Sequence, residues 1–275
     1  MAPTTTTRTG EIEAIFFDLD NTLIETRKGD KLACNKLTEI LREKYSIPNE
    51  ISTKICSNYL RAFRKCPENP SMDLDVWRKL LWAQALGNDY KNLADEIYLT
   101  WIQLRYRYLA LSTETLKLLE NLRKNNYLLG LITNGPSCAQ WEKIQRLDLR
   151  SLFDIILVSG DLPWEKPNQR IFYEACDYLK VKPSKCLMVG DKMETDILGG
   201  IQANLGGTVW IPLTQDIINE EEEKNNFRFR PDYVIDNVNE LIDLLLPVSE
   251  NNDRKRNFVR MDIFDGNSNG SDCCS

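Results

Sequence analysis

Six short apolar runs, at 14–17, 128–132, 155–158, 186–189, 208–211 and 233–235, set the frame of this chain. Each closes on polar or glycine residues. Runs this short, rich in β-branched and aromatic side chains, read as strands buried on both faces. Helical periodicity fills most of the intervals between them. Leu116, Leu118, Leu119 and Leu122 mark one helix, Trp141, Ile144 and Leu147 a second, and Ile171, Phe172, Ala175 and Leu179 a third. Strands and helices in alternation predict an α/β fold, a mostly parallel sheet with helices on both faces.

One interval is out of scale. About 110 residues separate the first run from the second, where an ordinary crossover needs a few tens at most. The gap carries helical stripes: Leu37, Ile40, Leu41 and Tyr45; then Ile51, Ile55, Tyr59 and Phe63; then Leu74, Trp77 and Leu81; and finally Leu93, Ile97, Trp101, Leu104 and Tyr108. Such stripes are in the first place helix packing. They predict an all-helical subdomain over 25–110, inserted into a core made of 12–24 and 111–247. Its place directly after the first strand lets it cover the strand ends like a lid. Residues 1–11 and 248–275, polar and rich in Thr or in Asn, Asp and Ser, are expected to form a disordered leader and tail.

The chain of 275 residues is 42 % hydrophobic, enough for a substantial core, and carries a net charge of −6. That balance argues against a general nucleic-acid or membrane-surface binder. No apolar run is long enough to span a bilayer, and Met1–Gly10 lacks the apolar centre of a secretory signal. Eight scattered cysteines without a CxxC pair read as reduced thiols of a cytoplasmic protein. No protein partner is evident. The chain has no histidine, which removes Ser-His-Asp and Cys-His catalysis and histidine metal sites. No GxGxxG or Gly-Lys-Ser/Thr loop is present either, so the remaining chemistry is that of carboxylates.

Four polar clusters follow four of the runs: Asp18 and Asp20; Thr133-Asn134-Gly135; Lys166, within Trp164-Glu165-Lys166-Pro167; and Gly190-Asp191 with Asp196. In a parallel sheet all four fall at the carboxyl edge, where ligands bind. Two aspartates one residue apart repel unless a cation or a shared proton lies between them. The pair therefore indicates a metal site, or a nucleophile beside an acid. Thr133 and Asn134 precede Pro136, a good opening residue for a helix whose N–H groups would meet an anion.

The four clusters, in this order and around this insertion, resemble the haloacid dehalogenase superfamily over roughly residues 13–246. DLDNT is similar to its first motif, ITN to its second, Lys166 to its third and GDKMETD to its fourth. The resemblance implies a Rossmann-like three-layer core with a mobile helical cap, and a phosphate monoester hydrolase. It assigns Asp18 as the nucleophile that becomes an aspartyl-phosphate. Asp20 is assigned as the acid that protonates the leaving oxygen and then takes a proton from water, and crowding by other acids is expected to supply its proton. Asp20 also separates phosphatases from dehalogenases, which have no leaving oxygen to protonate. Mg²⁺ would be held by Asp18, the Asp20 carbonyl and Asp191, with Asp196 orienting the set. Leu19, Asp20, Thr133, Asn134 and Lys166 would bind the phosphate.

Within that superfamily FFDLDNTLIET, EKPNQRIFYEAC and MVGDKMETDILGG, with the cap segment Leu93–Arg105, look like the phosphatases that release sialic acid from its 9-phosphate. A substrate of that kind also carries a carboxylate, for which the cap would supply a cation. Arg105 is the candidate, unless it is a surface arginine beside Arg107. Other readings of the same motifs are a different sugar phosphatase, a nucleotidase, or a catalytically silent binding protein on the same scaffold.

Overall fold

A computed structural model describes residues 12–65, 72–213 and 229–245. The expected leader and tail, and the Glu220–Glu223 run, which its charge marks as a solvated face, lie outside the described residues. Six parallel strands form one sheet in the order β3-β2-β1-β4-β5-β6. They are β1 (Ala14–Phe17), β2 (Leu128–Thr133), β3 (Ile155–Val158), β4 (Cys186–Gly190), β5 (Gly207–Trp210) and β6 (Tyr233–Val234). The strand order reverses at β1, which pairs with β2 on one side and β4 on the other. Such a reversal opens the crevice in which α/β proteins bind ligands.

β1 is buried throughout, and its residues alternate between two cores as a strand requires. Ile15 and Phe17 pack with α5 (Thr113–Lys124), α6 (Ser137–Arg146) and α9 (Leu241–Leu245). Ala14 and Phe16 pack on the opposite face with α7 (Gln169–Leu179) and with Ala203, just past α8 (Leu198–Gln202). Full burial stabilises each phenylalanine by roughly 1.5–3 kcal/mol. Gly130, opposite Phe16 in the register, leaves room for that ring, since a Cβ there would lie 2.7 Å from Phe16 Cδ1.

The interval after β1 is helical: α1 (Thr26–Tyr45), α2 (Asn49–Phe63), α3 (Leu74–Tyr90) and α4 (Ala94–Leu109). α3 is interrupted at Gly87, where φ is 69°, a value that suits glycine. These helices share a core of their own, built on Leu37, Leu41, Tyr59, Trp82, Ile97 and Trp101. Tyr59 stacks on Trp82 with centroids 3.7 Å apart, and Trp101 meets Tyr59 edge-on at 4.9 Å. Among the described residues no helix is long and apolar enough to cross a membrane. Cys34, Cys56, Cys138, Cys176 and Cys186 are free thiols.

Candidate active site

β1 delivers Asp18 to the carboxyl edge of the sheet. Its N–H still donates to Val189 of β4 at 2.9 Å, so strand pairing holds it one residue past Phe17. The chain then turns back at Asn21, whose φ of 64° is one that Asn tolerates better than most residues. Asn21 Oδ1 accepts the Arg27 N–H at 2.9 Å, which ties the turn to the start of α1.

Lys166 organises the acids. Its ammonium is 1 % exposed and donates to Asp18 Oδ1 at 2.6 Å and to the Ile132 carbonyl at 2.7 Å. It also pairs with Asp196 Oδ1 at 2.7 Å. Burial disfavours its charge, but Asp18 and Asp196 outweigh that and hold it protonated above the ordinary lysine range. Asp196 offers its other oxygen to the Lys192 N–H at 3.0 Å. That approach needs Gly190, because a Cβ there would stand 2.3 Å from Asp196 Oδ2.

Carboxylate oxygens of Asp18, Asp191 and Asp196 lie within 4.8 Å of one another, and all three residues are buried. Burial pushes Asp18 up to about 6, although Lys166 pulls the other way. Asp191 is pushed up to about 8 by burial and by the charges of Asp18 and Asp196. Asp191 Oδ1 is buried with no hydrogen-bond partner, and its other oxygen meets only Asn21 Nδ2 at 3.5 Å. The Asp191 carbonyl, by contrast, accepts from Trp210 Nε1 at 2.9 Å. A hard cation would relieve this cluster: one lysine faces three carboxylates, and the free oxygens are the donors Mg²⁺ prefers. Asp196 already has both oxygens engaged, so Asp18 and Asp191 are the side chains free to hold one.

Asp20 turns away from this trio toward α6. Lys143 Nζ lies 2.7 and 2.6 Å from its two oxygens, and Gln140 Nε2 donates to Oδ2 at 3.0 Å. The Thr26 hydroxyl at the start of α1 donates to it as well. Burial would raise the Asp20 carboxyl, but Lys143, Thr26 and Gln140 outweigh it and keep Asp20 well below the usual carboxylate range. Crowding by acids therefore does not protonate Asp20 here, because its nearest charge is a lysine. Gln140 also donates to the Thr133 hydroxyl at 2.7 Å and to the Asn134 carbonyl at 2.8 Å, so one buried amide ties β2 to Asp20. Neither Gln140 nor Lys143 stood out in the sequence. Both flank the Trp141–Ile144–Leu147 stripe, and that proximity to the buried face is the one local sign they give.

The remaining expected residues fall as follows. Thr133 closes β2, fully buried. The Asn134 side chain donates to the Lys166 carbonyl at 2.8 Å and accepts the Lys166 N–H at 2.9 Å, so it clamps the lysine's backbone. Leu19 packs its side chain in the core and its carbonyl accepts from Leu23 and Ile24; any role toward a ligand falls to its backbone. Arg105 is no surface arginine. It is 2 % exposed inside the helical bundle, with Nε 2.6 Å from Asp30 Oδ1 of α1, and is not gathered with the acids.

A parallel sheet with an acid cluster at its carboxyl edge, one buried lysine and a helical insertion after β1 defines a capped α/β hydrolase core. A profile of the haloacid dehalogenase-like hydrolases matches residues 12–204. N-acylneuraminate-9-phosphatase of Rattus norvegicus is 38 % identical over 205 residues, 73 % of this chain and 82 % of the relative. Glyceraldehyde 3-phosphate phosphatase of Methanothermobacter thermautotrophicus is 29 % identical over 85 % of this chain and all of the relative. The crystal structure of a 2-haloacid dehalogenase from Pseudomonas syringae superposes with a TM-score of 0.53 at 27 % identity, over 85 % of this chain and 98 % of that one. The chain belongs to the haloacid dehalogenase-like hydrolases, and it is an enzyme of their phosphatase type.

Proposed function

We propose that this enzyme hydrolyses N-acylneuraminate 9-phosphate to free sialic acid, with Mg²⁺ and through an aspartyl-phosphate on Asp18. The observation that carries the chemistry is Asp18 itself: a buried carboxylate at a strand end, between Lys166 at 2.6 Å and Asp191, whose Oδ1 has no partner. Asp18, Asp191 and the Asp20 carbonyl would hold the metal, which when bound lowers the charge that opposes an incoming phosphate. Asp18 attacks phosphorus in line with the ester oxygen, and that P–O bond breaks. Lys166 offsets charge on the transferring group. Thr133 accepts from Gln140 and so keeps its own hydroxyl hydrogen for a phosphate oxygen; backbone N–H groups of Leu19, Asp20 and Asn134 add to that cradle. Asp196 positions Lys166.

Asp20 carries the protons. In the first half-reaction it must first take up a proton from solvent, breaking its pair with Lys143, and then give that proton to the departing sugar oxygen. In the second it takes a proton from the water that hydrolyses the acyl-phosphate, and the Lys143 pair keeps Asp20 ionised and able to accept it. The relatives from rat, mouse and human, at 36–38 % identity, favour the sialic acid ester. A second reading, glyceraldehyde 3-phosphate, is favoured by a relative matched over its whole length. The free thiols fit a cytoplasmic setting. Phosphate release from a panel of sugar phosphates and nucleotides tests the proposal. A kcat/KM for N-acylneuraminate 9-phosphate well above all others supports it, and a poor rate with that ester removes the substrate assignment.

A further inference from the structure

Cap and core meet over a group of arginines that the chemistry at Asp18 does not use. Arg78 of α3 is 1 % exposed and reaches across the seam to Glu142 of α6, with Nη2 2.6 Å from Oε2. Arg105 of α4 shares the Phe63 ring with Arg78. Arg146 of α6 joins them, pairing with Glu142 at 3.1 Å. Three guanidinium charges, Arg146 nearly half exposed, thus face two carboxylates, the buried Asp30 and the partly buried Glu142; Asp75 approaches Arg78 only to 3.7 Å and is more than half exposed.

The donors outnumber their acceptors. Nε and Nη1 of Arg78 and Nη1 of Arg105 are buried without a hydrogen bond, as are the hydroxyls of Tyr59 and Tyr106, against one acceptor that also lacks one, Glu142 Oε2, whose contact is the Arg78 ion pair. Native proteins rarely leave buried charged donors unmet, because their desolvation is then uncompensated. Aromatic rings hold the two guanidinium groups in place: Phe63 lies 5.9 Å from Arg78 Cζ and 5.1 Å from Arg105 Cζ, and Trp101 and Tyr106 each 5.5 Å from Arg105 Cζ. Arginines fixed this way present forked N–H pairs that match a carboxylate. Glu142 is next in sequence to Lys143, whose ammonium sits on Asp20. The cluster therefore begins one residue from a partner of the reaction centre.

We propose that Arg78 and Arg105 form a carboxylate-binding subsite at the seam between cap and core, which selects phosphate esters that carry a second, carboxylate anion. The subsite deepens the substrate reading above and rests on the phosphatase chemistry at Asp18. Arg105 alone was the sequence candidate; Arg78, with its two unmet N–H groups and its link to the core, makes the site a pair.

The test compares kcat and KM on N-acylneuraminate 9-phosphate and on its C1 methyl ester, for the wild type, Arg78→Lys and Arg105→Lys. The wild type should favour the acid by about tenfold or more in kcat/KM, mostly through KM, as loss of a charge-assisted hydrogen bond implies. Each lysine variant should bring that ratio toward one, because a point charge does not replace the fork. The ratio is taken within one protein, so a partly misfolded fraction cancels. A wild type indifferent to the ester, or variants that keep its ratio, overturns the subsite. A wild type inactive on both compounds contradicts the sialic acid reading instead. The comparison then moves to 3-phosphoglycerate against glyceraldehyde 3-phosphate, where preference for the acid supports the arginine pair and its absence overturns it.

Discussion

Magnesium binding should displace about one proton at pH 7, and its affinity should climb steeply between pH 6 and pH 8. Asp191 and Asp18 are pushed up to about 8 and about 6, so at pH 7 roughly nine-tenths of Asp191 and one-tenth of Asp18 carry a proton that a cation must expel. Competition from Asp191 alone weakens binding about fiftyfold at pH 6 relative to pH 8, and Asp18 adds about twofold, for about a hundredfold in all. The same shifts fix a sign for stability. A carboxyl whose folded pKa is raised binds its proton more tightly when folded, so the metal-free protein loses stability as pH rises from about 4 toward 8. Isothermal titration of Mg²⁺ in buffers of different ionisation enthalpy counts the protons, and thermal unfolding with and without Mg²⁺ across that range reads the stability. A proton count near zero at pH 7, or an affinity that does not change between pH 6 and pH 8, refutes the reasoning.

Three substitutions probe the supports of the site. Lys143→Met removes the cation that holds Asp20 low, so the acid limb of the kcat–pH profile should move to higher pH by about one unit or more; superimposable profiles contradict that role. Gly190→Ala drives a methyl into Asp196 Oδ2 and should cost about 1–3 kcal/mol in denaturant unfolding, together with activity, because Lys166 loses a partner. Trp82→Ala empties the position stacked on Tyr59 and should destabilise the helical insertion by about 3–5 kcal/mol; an unchanged melting profile would mean the aromatic cluster does not support it.

The sheet could be read from the sequence because each of its strands is a local signal. Phe16 and Phe17 announce a strand buried on both faces, and the six apolar runs are the six strands, with bounds that differ by one residue at most. Chain order together with the strand-end rule was enough to bring Asp18, Lys166, Asp191 and Asp196 to one edge. What stayed hidden depends on pairs far apart in sequence. Lys143 finds Asp20 across 123 positions, and nothing within α6 names that partner. Arg78 reads locally as one more polar residue of an amphipathic helix; its burial and its pairing with Glu142 come only from the tertiary fold. Arg105 was visible as an arginine of the cap, but its burial against Asp30 was not, since Asp30 stands 75 positions away. Asp20 was expected to share the acids' crowding because it is two residues from Asp18, yet its carboxylate meets Lys143, Gln140 and Thr26 instead.

The proposed mechanism stands or falls on whether Asp18 takes the phosphoryl group. Acid quench of the enzyme during turnover, borohydride reduction and peptide mapping by mass spectrometry read it directly. Reduction of an aspartyl-phosphate converts that one residue to homoserine. The change is expected at Asp18 alone, lost when substrate is left out, with no phosphate release from Asp18→Asn. A label on Asp20 or Asp191, or an Asp18→Asn variant that keeps turning over, would contradict it.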